Sequence, residues 1–162
     1  MPSSRKKAII RKFSRDWAAG YLSSDEFVHG SAVEMLGLDG KVMAISLEQI
    51  KWVCFVRDFS SGDAANPERL LRKTFAGRPR TAGLFVRVRL NDGDLIEGLA
   101  ANDLSLISSN GVALTPPDIR GNTQRMWIPA AAVSELEIVA VIGSAKARPA
   151  NVPPDDAQER LF

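Results

Sequence analysis

The chain of 162 residues contains one cysteine, one histidine and one tyrosine. Cys54 alone cannot form an internal disulfide, and with His29 as its only possible partner it leaves no Cys/His set for a structural zinc. No metal and no cofactor is expected. No apolar run approaches the length of about 18 residues that a membrane helix needs. The opening "MPSSRKKAIIRKF" is basic, but no apolar stretch with a cleavage site follows it, so the expectation is a cytoplasmic protein away from the membrane. An excess of one charge is also missing. With 21 basic and 19 acidic residues the net charge is +2, which does not by its total imply a polyanionic partner; only local clusters can.

Catalytic constellations are equally scarce. A Cys/His nucleophile pair would have to use Cys54 and His29, but Cys54 lies in the apolar stretch "WVCFV" and reads as a small buried hydrophobe. His29, in "FVHGS", reads as an exposed loop residue. Asp92, Asp94 and Glu97 surround a hairpin and read as solvated turn residues rather than a general acid–base pair. No glycine-rich phosphate loop opens a helix. The chain is therefore expected not to be an enzyme.

What is present is short-period alternation punctuated by turns. In "GLFVRVRLNDGDLIEGLA", residues 83–100, Val86, Val88 and Leu90 share one face and Phe85, Arg87 and Arg89 the other, the period of a half-buried strand. "NDG" reverses the chain, with Gly93 supplying positive φ, and Gly98 inside the returning strand predicts a bulge or sharp bend. Further strands are expected in "VALTPP", "RMWIP" and "ELEIVAVIG". The start of the chain repeats the form. "AIIRKFSRDWAAGYL" sets Ile9 against Val86, Phe13 against Leu90 and, after a one-residue difference in the turn, Gly20 against Gly98. "ISLEQIKWVCFV" sets Ile45, Ile50, Val53 and Phe55 against Ile128, Val133, Leu136 and Ile138. An internal repeat of two five-stranded modules follows.

With Asp92-Gly93, Gly98 and the "IPAAAV" turn, each module resembles the SH3-like and Sm-like small barrels. That resemblance implies a strongly bent second strand and a short 3₁₀ turn before the last strand. The expected fold is mainly β: two related five-stranded SH3-like/Sm-like barrels joined by a helix-containing segment. The boundaries are a disordered start at 1–5, a first barrel at 6–57, a connection at 58–82, a second barrel at 83–143 and a flexible tail at 144–162. In the connection, Asn66 as cap, Pro67 and Glu68 predict a short helix over "NPERLLRKTF". The stretches "KWVCFVRDF", "RKTFAGRPR", "GLFVRVRLNDGDLIEGL" and "TPPD" followed by "QRMWIPAAAV" also resemble an uncharacterised bacterial family known best from acidobacteria, which implies one globular unit and supplies no function.

Three candidate binding features remain. Arg72, Lys73, Arg78, Arg80, Arg87 and Arg89 could present guanidinium and ammonium groups to phosphate, with Trp17, Tyr21 and Trp127 as stacking surfaces for nucleic acid. "RKFSR" and "DLSLISSNG" resemble the paired segments of PilZ-like cyclic di-GMP receptors, which implies nucleotide contacts from Arg11, Arg15, Asp103 and Ser105; Gly111 departs from that pattern by arriving three positions late. The terminal "QERLF" resembles the peptide by which bacterial polymerases and repair factors bind the DNA sliding clamp, which implies roles for Gln158, Leu161 and Phe162. The reading is thus a binding or adaptor module with a protein partner, the sliding clamp foremost. Nucleic-acid binding and cyclic di-GMP reception are the alternatives, and an exposed strand edge could make a homodimer.

Overall fold

A computed structural model describes residues 4–24, 26–59, 71–108, 110–118 and 120–143. The chain is mainly β. The first half supplies β1 (Arg5–Lys12), β2 (Trp17–Ser23), the two-residue β3 (Val28–His29), β4 (Ala32–Gly37), β5 (Val42–Ser46) and β6 (Ile50–Val56), with a 3₁₀ turn at Leu47–Gln49. The second supplies β7 (Gly83–Leu90), β8 (Leu95–Ala100), a helical turn α1 (Ser105–Ser108), β9 (Gly111–Leu114), β10 (Thr123–Pro129), a 3₁₀ turn at Ala130–Ala132 and β11 (Val133–Ile142). All pairings are antiparallel. β1 begins at Arg5, one residue before the expected boundary.

The pairing pattern recurs. In the first half the order is β6-β1-β2-β4-β5, and in the second β11-β7-β8, joined by a bridge from Leu99 to Thr115 to β9 and β10. The turns correspond too. Lys12 N–H donates to Asp16 and Arg15 N–H to Lys12; Leu90 N–H donates to Asp94 and Gly93 N–H to Leu90. Each 3₁₀ turn is tied back to the first hairpin, by Phe13 N–H to the Gln49 carbonyl and Asn91 N–H to the Ala132 carbonyl, both 2.9 Å.

This geometry corrects the alignment of the halves by one residue. Gly20 pairs with Ala8, and Gly98 with Val86, so Ala8 rather than Ile9 corresponds to Val86. No one-residue turn difference exists, because Arg15 takes the left-handed place (φ 78°) that Gly93 takes (φ 89°) in the second hairpin. Both bend glycines sit where the second strand crosses to the third. A Cβ on Gly20 would lie 2.4 Å from the Leu36 carbonyl oxygen, and one on Gly98 would lie 3.0 Å from Leu114 Cβ and the Thr115 carbonyl oxygen.

Among the described residues two separate closed barrels do not form. Closing the first half would join β5 to β6, and closing the second would join β10 to β11. Instead the free edges of β6 and β10 pair with each other, with Arg125 opposite Phe55, Met126 opposite Cys54 and Trp127 opposite Val53. β1 and β6 thereby become a middle layer buried on both faces. Ile9, Trp52, Cys54 and Val56 pack against Val86, Val88, Ile96, Leu114 and Met126 of the second half. Ala8, Ile10 and Val53 point the other way, into a core with Val33, Met35, Ile45 and Trp127. Cys54 is buried as expected and His29 exposed.

The expected helix over 66–75 lies outside the described residues as far as Leu70. From Leu71 to Phe75 the chain is not helical. Tertiary hydrogen bonds claim its backbone: the Lys73 carbonyl accepts Glu97 N–H at 2.7 Å, and Phe75 N–H donates to Glu97 Oε1 at 2.9 Å. The segment is held along β8 by groups that a helix would have kept for itself.

Candidate functional site

Glu97 is the post on which this segment hangs. The bend at Gly98 leaves it on the outer side of β8, where Arg87 on β7 pairs directly across from it. Arg87 donates from Nε at 3.0 Å and Nη2 at 2.8 Å to one carboxylate oxygen, while Phe75 N–H takes the other. Glu97 is only 6% exposed, which corrects its expected place among solvated turn residues. A buried carboxylate persists where its oxygens are met by charged and backbone donors, and these are.

Asp92 and Asp94 are likewise engaged rather than freely solvated. Lys51 of β6 reaches Asp92 at 2.8 Å and Asp94 at 2.9 Å, and Lys73 reaches Asp94 at 2.9 Å. Burial works against the charge of all three partners Lys51, Asp92 and Asp94. The hydrogen bonds outweigh it, holding both carboxyls below their ordinary range and raising the Lys51 ammonium above its own. The cluster ties the first half, the second hairpin and the connecting segment together.

Held at Glu97 and Asp94, residues 72–82 form one wall of a cleft of about 680 Å³. The opposite side comes from the end of β8, α1, the stretch after β9, and β10. Phe75, Leu99, Leu106, Pro116, Pro117 and Trp127 supply an apolar lining, and Phe75 is braced edge-on against Phe85 with ring centres 5.0 Å apart. Arg72, Arg78, Arg80 and Arg125 supply the charge. All four are exposed, and among the described residues none is ion-paired. Among the described residues no Asp, Glu, His, Cys or Lys side chain lines the cleft. A smaller hollow of about 150 Å³ shares Ala113, Arg125 and Trp127 with it and adds Lys6, so cationic groups continue across β10.

The sequence-derived candidates divide accordingly. Arg72, Arg78 and Arg80 line the cleft. Lys73, Arg87 and Arg89 instead face carboxylates: Asp94, Glu97 with Glu137, and Glu135 respectively. Of the stacking candidates, Trp127 lines the cleft, Trp17 stands exposed on the first hairpin and Tyr21 packs edge-on against Phe59. Arg125 was not among the predicted residues. Its signal was weak, a lone arginine on a strand far along the chain, and the Leu99·Thr115 bridge with the β9·β10 ladder brings it to the other three.

Arg11 and Arg15 belong to the first hairpin, where Arg11 Nη1 donates to the Arg15 carbonyl. Asp103 and Ser105 meet at α1: the Ser105 hydroxyl and N–H both donate to Asp103 Oδ1 and hold that carboxyl below its usual range. Ser105 borders the cleft. Gln158, Leu161 and Phe162 lie outside the described residues. No group of three His, Cys, Asp or Glu gathers among the described residues, and none of their helices is long and apolar enough to cross a membrane.

Residues 4–140 match the model of a family of unknown function, DUF6982, and the chain belongs to it. No curated protein and no solved structure gives a match.

Proposed function

We propose that this DUF6982 chain is a non-enzymatic binding module made of two related small β units, and that its arginine cleft takes single-stranded nucleic acid. The observation that carries the reading is a segregation of charge. In a chain of 21 basic and 19 acidic residues, other cations such as Lys51, Lys73, Arg87 and Arg89 are met by carboxylates, whereas four arginines gather round one cleft with no carboxylate partner among the described residues. Guanidinium forks suit phosphate oxygens, and the half-buried Phe75 offers ring surface to bases above a floor that includes the buried Trp127. Among the described residues of the lining the absence of a carboxylate, imidazole, amine or thiol favours binding over reaction.

Fluorescence anisotropy with a labelled single-stranded oligonucleotide over a range of salt tests this. Four phosphate contacts give a slope of log K against log salt of about −3, and the triple variant Arg78→Ala/Arg80→Ala/Arg125→Ala should bring it to about −1 with weaker binding. No binding at low salt, or an unchanged slope in the triple variant, would overturn the proposal.

A further inference from the structure

The ladder between β6 and β10 leaves two strand edges open, and they are the counterparts of the two it joins. Among the described residues β5 pairs only with β4, and β11 only with β7. The turns Leu47–Gln49 and Ala130–Ala132 align the fourth and fifth strands of the halves. Arg125 and Trp127 on β10 then correspond to Val42 and Ala44 on β5. Val53 and Phe55 on β6 correspond to Leu136 and Ile138 on β11.

We propose that a second copy of this chain docks head to tail, its β5 pairing antiparallel with β11 in the register that β10 keeps with β6. The pairs Arg125·Phe55 and Trp127·Val53 within the chain become Val42·Ile138 and Ala44·Leu136 between chains. Apolar exposure points to the same edges. Val42 is 68% exposed, Ile138 50% and Val141 61%, far more than branched aliphatics on paired strands such as Val53 or Val86, both fully buried. An open edge with exposed aliphatics and no proline in β5 or β11 is a template for another strand, and the edge that fits it best has already been built once inside the chain. The contact is heterologous, so each copy keeps one edge free until a ring closes or a filament grows. Nothing in this step uses the arginine cleft.

Sedimentation velocity of the full chain up to high micromolar concentration tests it. The wild type should associate, while Val42→Lys and Ile138→Lys should each sediment as monomers with unchanged circular dichroism. An equimolar mixture of the two variants should form a dimer and nothing larger, because each retains the edge that the other lacks. Should Ile138→Lys fail to fold, Val42→Lys, on an exposed site in the other half, carries the same test alone. A wild-type monomer at every concentration would overturn the proposal, as it would if the edge were covered from within the chain. A Val42→Lys variant that still associates would also overturn it, pointing to a symmetric contact through β11.

Discussion

Alanine at the two bend glycines should have unequal effects. At Gly20 the added Cβ falls 2.4 Å from the Leu36 carbonyl oxygen and 2.7 Å from Met35 Cγ, whereas ordinary contact begins at 3.4 Å. Met35 is fully buried and, like the carbonyl, belongs to β4, so neither gives way without the strand. β2 and β4 must part by about 1 Å, straining the short ladder of Gly20·Gly37 and Tyr21·Leu36. Overpacking of this kind costs about 1–3 kcal/mol, and a weakened backbone hydrogen bond adds about 1 kcal/mol. Against this stands a gain of about 0.4–1 kcal/mol from the stiffer unfolded chain. At the middle of these ranges Gly20→Ala should lose about 2–3 kcal/mol. At Gly98 the nearest atoms are at 3.0 Å, a few tenths of an ångström tight, and the same gain brings the net loss below about 1 kcal/mol. Urea unfolding of both variants reads the difference directly, and thermal melts should place Gly20→Ala roughly 4–12 °C below wild type. Equal losses, or a greater loss at Gly98, would refute the argument that backbone approach at the first bend is what excludes a side chain.

Glu97→Ala should cost about 2–4 kcal/mol, because it strands Phe75 N–H and leaves Arg87 only the exposed Glu137; the figure stays below that for a fully buried pair since Arg87 is 37% exposed. Urea unfolding should also find that Glu97→Ala/Arg87→Ala costs less than the two single losses added. Acid should weaken the fold in a defined window. The Asp92 and Asp94 pKa values are lower folded than unfolded, so their contribution is complete above the ordinary carboxylate value of 3.8 and disappears as pH falls through the depressed values. Lys51 is raised, so its share is lost only as pH climbs past 10.5. Melting temperature followed against pH should drop on the acid limb, and Lys51→Met should make that limb shallower.

The second half was the more legible of the two in the sequence, for a physical reason. β7 has one fully buried face, so Val86, Val88 and Leu90 alternate with partly exposed residues. β1 lies between two cores, so Ala8, Ile9 and Ile10 are all buried and no alternation marks which face is which. The phase was lost there, and Arg15 hid it further by standing in a left-handed turn where glycine would have announced itself. The helix expected after Asn66 followed local preferences, which Glu97 overrides from 71 to 75 with hydrogen bonds no local rule foresees. Likewise "RKTFAGRPR" made three of the four cleft arginines visible as a run. The fourth depended on which strand edges meet, and an alternating pattern does not choose its neighbour.

The ladder of β6 with β10 also sets a timetable for synthesis. β6 is complete at Val56, but its partner begins only at Thr123. At ribosomal rates of about 5–20 residues per second, the first half emerges and waits roughly 3–13 s with the apolar face of Ile9, Trp52, Cys54 and Val56 lacking its cover and the β6 edge open. During that interval the nascent chain holds a bare strand and a half-built core at once, and on crowded polysomes the nearest matching β10 can belong to a neighbour. Slow translation across the connecting residues would prolong the exposure, whereas rapid delivery of 83–129 would end it. Synonymous codons that slow that stretch should therefore lower the soluble yield without altering the melting temperature of the purified protein.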